Sequence, residues 1–298
     1  MAKMAMDRSF GAAGLMAVSA AGLGFILRSR YERGHFVVET CRVASPKIRR
    51  EKKLVFITDV HDQEFGPGGA ELLKAVREQR PDGILIGGDL MVAKKGRGGL
   101  DATFRLLEGL AGIGPVFYSL GNHESRLDRE REVYGDRYDQ LIKKAEELGV
   151  CLLIDRTVPF DEVDITGVEL SRSYYKKLFL ERPVKMPKGY LARKLGTPDP
   201  DRFQLLLIHS PMYFERCRQW GADLTLAGHF HGGTIRIPGL GGVMTPQYQF
   251  FVPWCAGCFE KDGKRMLVGR GLGTHSIDIR FNDLPQVLVV RLVPGAFA

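Results

Sequence analysis

A chain of 298 residues, 44% hydrophobic and 26% charged, has the composition of a folded globular protein. It is long enough for one large α/β domain with an appendage, or for two modest domains. Its five cysteines are too sparse for a disulfide scaffold. Its formal net charge of +8 points to an anionic partner: a phosphorylated metabolite, a lipid headgroup or nucleic acid. The chain carries no RNA-binding aromatic signature and no DNA-reading motif, so nucleic acid is the minor choice of the three.

Residues 9–27, SFGAAGLMAVSAAGLGFIL, carry no charge and as a helix would span about 28 Å, close to the hydrocarbon thickness of a bilayer. Lys3 and Arg8 precede the run; Arg28, Arg30 and Arg33 follow it. A cleavable signal peptide with a processing site at 17–20 competes with an uncleaved anchor, and the arginines directly after the run favour the anchor. This reading makes residues 1–34 a transmembrane segment and its flank, 35–52 a linker and 53–298 the globular domain, membrane-associated through its N-terminus. The basic residues Lys47, Arg49, Arg50, Lys52 and Lys53 favour a cytoplasmic domain but leave the side open.

From residue 53 the pattern alternates. The run LVFIT at 54–58 is a predicted buried strand that delivers Asp59 and His61. A helix is expected over 70–80, stopped by Pro81. The stretch GILIGGDL at 83–90 is an apolar strand ending in two glycines and a carboxylate. The glycines permit a sharp turn at the strand's carboxyl end, which puts Asp89 at the rim where open α/β sheets build sites. A basic loop at 94–99 and a helix over 100–110 follow. Then comes a strand at 116–120, ending in Gly121-Asn122-His123-Glu124, and a helix over 138–148. The spacing suits right-handed βαβ units. The second half is richer in strands: 164–168, then 203–208 ending in His209, 223–227 ending in Gly228-His229-Phe230-His231, and finally 266–268 and 287–290.

Five strand ends thus carry Asp59 and His61, Asp89, Asn122 and His123, His209, and His229 with His231. A lone histidine after an apolar run is usually structural, whereas five at equivalent turns point to a shared site. Carboxylate, imidazole and amide oxygen together form a borderline-hard donor set suited to Mn, Fe, Zn or Mg. Cys255 and Cys258 have the spacing of a zinc or redox pair, but no second pair completes a site, so they read as ordinary thiols near a turn. His275 lies in a turn that would approach the site, and His35 has no motif around it.

Asp59-x-His61, Gly88-Asp89, Gly121-Asn122-His123-Glu124, His209 and Gly228-His229-x-His231 resemble the five ordered blocks of the calcineurin-like metallophosphoesterase superfamily. Gly271-Leu272-Gly273-Thr274, Arg280-Phe281 and Pro285 are similar to its YkuE/YaeI-like bacterial branch. The resemblance implies a four-layer α/β/β/α sandwich with two divalent metal ions. Asp59, His61 and His231 would hold the first, Asn122, His209 and His229 the second, and Asp89 would bridge them. It also implies attack on phosphorus by a metal-bridging hydroxide, with His123 stabilising the phosphoryl charge and protonating the leaving alkoxide. Many relatives carry an Asp three positions after the bridging residue; here Val92 stands there, so what orients His123 is open. Glu124 reads as a turn residue behind the ligands.

Residues 171–202 form an insert rich in Lys, Arg and aromatics. Either it is a solvated excursion, or it is a cap with Lys176, Lys177, Lys185 and Lys188 meeting phosphate headgroups and Tyr174, Tyr175, Leu178 and Phe179 entering a membrane interface. With the anchor, the second reading makes the preferred substrate a lipid-linked phosphodiester or pyrophosphate, such as a UDP-diacylglucosamine-like compound. A nucleotide or nucleic-acid phosphodiesterase acting on soluble substrates is the alternative, and a non-catalytic membrane scaffold the second one. The full ligand set argues against the scaffold.

Overall fold

The computed structural model describes residues 2–96, 99–176, 184–274 and 277–296, with side chains described from residue 18 onward. The strands are β1 (Val37–Ser45), β2 (Lys52–Ile57), β3 (Gly83–Ile86), β4 (Val116–Tyr118), β5 (Cys151–Leu152), β6 (Arg156–Phe160), β7 (Val163–Val168), β8 (Phe203–Ile208), β9 (Leu224–Ala227), β10 (Arg236–Ile237), β11 (Gly241–Gly242), β12 (Gly257–Lys261), β13 (Lys264–Val268) and β14 (Gln286–Pro294). The helices are α1 (Ala2–Arg33), α2 (Ala70–Glu78), α3 (Asp101–Ala111), α4 (Asn122–Arg129), α5 (Arg131–Tyr134), α6 (Arg137–Glu147), α7 (Tyr190–Leu195) and α8 (Phe214–Trp220). One six-stranded sheet runs β1-β14-β2-β3-β4-β5 and a second runs β12-β13-β9-β8-β7-β6.

Alternation along each strand divides the apolar runs between two cores. From β2, Leu54 and Phe56 enter the space between the sheets, where they meet Ile165, Leu205, Leu207 and Leu226 of the second sheet. Val55 and Ile57 point the other way, into a cluster with Leu72, Leu107 and Leu141 of α2, α3 and α6. On the far side of the second sheet, Leu206 and Ile208 pack with Leu191 of α7 and Trp220 of α8. Helices therefore flank a pair of face-packed sheets, a mixed α/β sandwich. β2, β3 and β4 run parallel, as do β7, β8 and β9, so the loops that leave their carboxyl ends share one edge of each sheet.

The N-terminal segment departs from its sequence reading. Among the described residues no helix is long and apolar enough to cross a membrane, so the expected transmembrane anchor, and with it membrane association through residues 1–34, is not met. The physical reason lies in packing: the described end of the run docks on the domain through Phe25 and, just beyond it, Glu32. The end of α1 is instead packed on the domain. Glu32 is fully buried and accepts the backbone N–H groups of Asn282 and Asp283 at 3.0 and 2.8 Å. Phe25 stacks on Phe281 at 4.8 Å. Within the stretch read as a linker, β1 pairs in parallel with β14 over nine residues.

Part of the insert packs on the domain. Tyr174, read as an interfacial aromatic, is buried against Tyr190 and Tyr213, and its carbonyl accepts the Tyr213 hydroxyl at 2.9 Å. The Tyr213 hydroxyl thereby finds a partner inside, which makes its burial favourable. Tyr175 faces the candidate site. Lys177, Leu178, Phe179 and His275 lie outside the described residues.

Candidate metal centre

Backbone hydrogen bonds tie the loops at this edge together. The Asp59 and His61 amides donate to the carbonyls of Gly88 and Asp89 at 2.9 and 3.1 Å, linking the loops after β2 and β3. Across the two sheets, His229 N–H donates to the Asp59 carboxylate at 2.9 Å, and His209 Nδ1 lies 2.7 Å from the Gly87 carbonyl. Asp59, His61, Asp89, His229 and His231 all have positive φ, between 46° and 66°. Left-handed backbone is uncommon for residues other than glycine, and its concentration at a cluster of polar side chains marks a functional constraint. The approach is close enough that Gly228 has no alternative: a Cβ there would fall 2.2 Å from both the Asp59 carboxylate and the Thr58 hydroxyl.

Three groups of buried side chains bring their donor atoms within 4.8 Å of one another: Asp59, His61 and His231; His61, Asp89 and His123; and Asp89, His209 and His229. His61 Nε2 and His231 Nε2 are 3.1 Å apart, and His231 Nε2 lies 3.4 Å from Asp59 Oδ1. Asp89 belongs to two of the groups. Its Oδ1 accepts the His123 N–H at 2.8 Å, while its Oδ2 turns inward, 3.1 Å from His209 Nε2 and 3.9 Å from His61 Nε2. Asn122 heads α4, and its Oδ1 is buried with no hydrogen-bond partner among the described residues.

The histidines divide by tautomer. His209 and His231 set Nδ1 against the carbonyls of Gly87 and Gly273, at 2.7 and 3.1 Å. A neutral ring must then carry its proton on Nδ1 and offer the Nε2 lone pair to the cluster. His123 is reversed: its Nδ1 accepts the Ala93 N–H at 2.8 Å, so the proton of the neutral ring sits on Nε2. That backbone amide supplies the orientation left open by Val92.

Electrostatics follow burial and charge. Burial pushes Asp59 up to about 6, with Asp89 adding to the shift. For Asp89 burial works in the same sense, but the imidazoles of His209, His123 and His61 outweigh it and hold the carboxyl well below its usual range. Burial would lower His209; the carboxylates of Asp89 and Asp59 prevail and carry it to about 10. His123 is lowered, chiefly by burial. Glu124 is fully buried and accepts the N–H groups of Asp89, Leu90 and Gly121 and the Tyr118 hydroxyl, all within 2.9 Å. It fixes the turns that carry Asp89 and Asn122.

Two contributors had no signal in the sequence: the Ala93 amide, and the turn that aims Tyr175 at His229 with ring centroids 5.1 Å apart. A third, Arg280, stood in a family motif without a role. It is buried and donates to the carbonyls of Arg270, Gly271 and Gly273, the last shared with His231. Cys255 and Cys258 are both free thiols: Cys255 is buried, and the exposed Cys258 shares a hydrogen bond with the thiol of Cys41 on β1.

Asn122 Oδ1 without a partner, the inward Asp89 oxygen and two imidazoles held with Nε2 forward fit a pair of divalent cations. The family model for calcineurin-like phosphoesterase matches residues 52–233, more than half of the chain and every member of the cluster. YpbG of Bacillus subtilis (strain 168) is 24% identical over 96% of this chain and 98% of its own. The phosphodiesterase YaeI of Escherichia coli (strain K12) is 26% identical over 81% of this chain and 82% of its own. The metallophosphoesterase YkuE of B. subtilis (strain 168) is 33% identical over 42% of this chain and 47% of its own. The chain belongs to the calcineurin-like phosphoesterase family and is a metal-dependent phosphoric ester hydrolase.

Proposed function

We propose that this protein hydrolyses a phosphodiester or pyrophosphate bond at the cluster centred on Asp89. Asp59, His61 and His231 on one side, Asn122, His209 and His229 on the other, and Asp89 would hold divalent cations, which would supply Lewis-acid polarisation of the phosphoryl oxygens and acidify water. The observation that carries the reading is the reversed tautomer of His123. A ring with its proton on Nε2 has no lone pair to give a cation there, so His123 serves as donor to the phosphoryl group and the departing oxygen. Ala93 holds that proton in place, and Glu124 holds the turn beneath it.

A diester is supported by the donor, which serves a leaving alkoxide, and by likeness to a phosphodiesterase along most of the chain. The test is cleavage of bis(p-nitrophenyl) phosphate by Mn²⁺-loaded protein and its loss on chelation. Full activity in metal-stripped protein would refute the proposal. A substrate with an apolar chain, the lipid-linked class, has its own support. Beyond Pro246 and Tyr248 at the cleft, the chain exposes half or nearly half of Phe250, Phe251 and Trp254. Replacing all three with Ser would then weaken an acyl-bearing ester and spare bis(p-nitrophenyl) phosphate.

A further inference from the structure

A cavity of about 1,060 Å³ opens beside Asn122, His123 and His229. Five cations line it from three separate segments: Lys94 after β3, Arg126 and Arg129 on α4, and Arg172 and Lys176 beside the turn Arg172–Tyr175. No carboxylate lines it among the described residues. One scissile diester carries a single negative charge, which the cations of the metal centre already meet. Five further positive groups around a walled cavity, two of them sharing the single carboxylate of Glu130, leave a positive excess that such a substrate does not answer.

The helix sets the spacing. Asn122, Arg126 and Arg129 stand at i, i+4 and i+7, on one face of α4. At the helical rise, Arg126 and Arg129 lie about 6 and 10 Å along the axis from Asn122. Arg126 is held by the Ala93 carbonyl at 3.3 Å, and Glu130 lies 3.3 Å from both Arg126 and Arg129, one carboxylate between two guanidiniums. On the opposite wall, Gln247 donates to the Lys176 carbonyl at 3.0 Å, joining the loop that carries Tyr248 to the turn that carries Arg172. The walls are thus braced, and guanidiniums are suited to bidentate contact with phosphate.

Resting on the hydrolase reading above, we infer that this cavity is a polyphosphate subsite: Arg126, Arg129 and Arg172, with Lys94 and Lys176, hold at least one further phosphate of the substrate beyond the bond that breaks. The substrate class is a small ester rich in phosphate. The volume suits a ligand of nucleotide size.

The experiment compares kcat/KM of Mn²⁺-loaded, full-length protein on bis(p-nitrophenyl) phosphate and on dinucleoside polyphosphates with two, three and four phosphates. The expected result is a rise of about tenfold or more from the two-phosphate to the four-phosphate compound, as charge-assisted contacts accumulate. Arg129→Gln and Arg172→Gln each reduce that ratio roughly tenfold, Arg172→Lys keeps part of it because the charge stays while the bidentate fork is lost, and Arg77→Gln on α2 leaves it unchanged. Circular dichroism confirms that the variants fold, and Arg172→Lys separates loss of charge from loss of shape. Cleavage of bis(p-nitrophenyl) phosphate with a flat ratio, or with no cleavage of the polyphosphates, overturns the subsite alone. No cleavage of any compound overturns the hydrolase reading beneath it.

Discussion

The peptide N–H of Ala93 donates to Nδ1 of His123 across 2.8 Å, a place for which the family resemblance implied a carboxylate three residues beyond Asp89, where Val92 stands. The two solutions orient the ring alike but charge it differently. A carboxylate favours imidazolium; an N–H donor cannot share Nδ1 with a second proton and so favours the neutral ring. Burial reinforces this, holding His123 below the ordinary imidazole range. The expected outcome is a ring with Nε2 protonated and Nδ1 bare at neutral pH, read from its ¹⁵N shifts, and titrating below 6.5. A His123 that is cationic at pH 7 would sink the claim. His123→Asn should keep its metal while kcat falls by roughly 10²–10⁴.

Asp89 takes part in two donor groups, and its inward oxygen faces histidines from both sheets. If it bridges two cations, Asp89→Asn removes the anion that allows them to lie close together. The variant should bind less metal and lose on the order of 10³ in kcat, as expected of a centre that needs both ions. Metal analysis beside steady-state kinetics checks it. A metal-replete, fully active Asp89→Asn would end the bridging role.

The strand ends were legible because a buried strand reads as an apolar run and glycines beside a polar residue mark its exit. Each of these signals lies within about ten residues of chain. What the sequence hid depends on distant partners. β1 has the half-exposed pattern of an edge strand, with Glu39 and Arg42 in it, and its register comes entirely from β14, some 250 positions later. The Ala93 amide has no side-chain signature at all. The N-terminal run misled because the partners of its end, Phe281 for Phe25 and the Asn282 and Asp283 amides for Glu32, stand some 250 positions later.

Arg280 and Glu32 form a buttress that ties α1 to the back of the centre. Glu32 holds the amides of Asn282 and Asp283, and Arg280 spans the carbonyls of Arg270, Gly271 and Gly273. Glu32→Ala leaves two N–H groups without their acceptor and should cost about 2–4 kcal/mol, lowering Tm by several degrees in calorimetry. Arg280→Met strands the buried Asp283 and should cost about 3–5 kcal/mol. Arg280→Met should also loosen the first metal position, because the Gly273 carbonyl that sets His231 loses its second donor. Stability equal to that of the parent protein in both variants would show α1 to be merely apposed.

His209 makes metal uptake dependent on pH. In chelator-stripped protein Asp89 and Asp59 overcome the effect of burial and keep its proton up to about 10, so at pH 7–8 the ring is an imidazolium against the Asp89 carboxylate. The folded value lies above the unfolded one. The stability this pair contributes is therefore complete below pH 6.5 and is lost as pH rises through about 10. A cation needs the Nε2 lone pair, so binding must expel that proton. Apparent metal affinity should then rise about tenfold per pH unit between 7 and 9, for one proton released. Calorimetry in two buffers of different ionisation enthalpy should recover roughly one proton per metal pair bound, and more near pH 6, where Asp59 also titrates. His209→Asn should flatten the dependence. Affinity that does not vary with pH, with no proton released, would mean His209 is neutral before metal arrives and that Asp89 does not hold it charged.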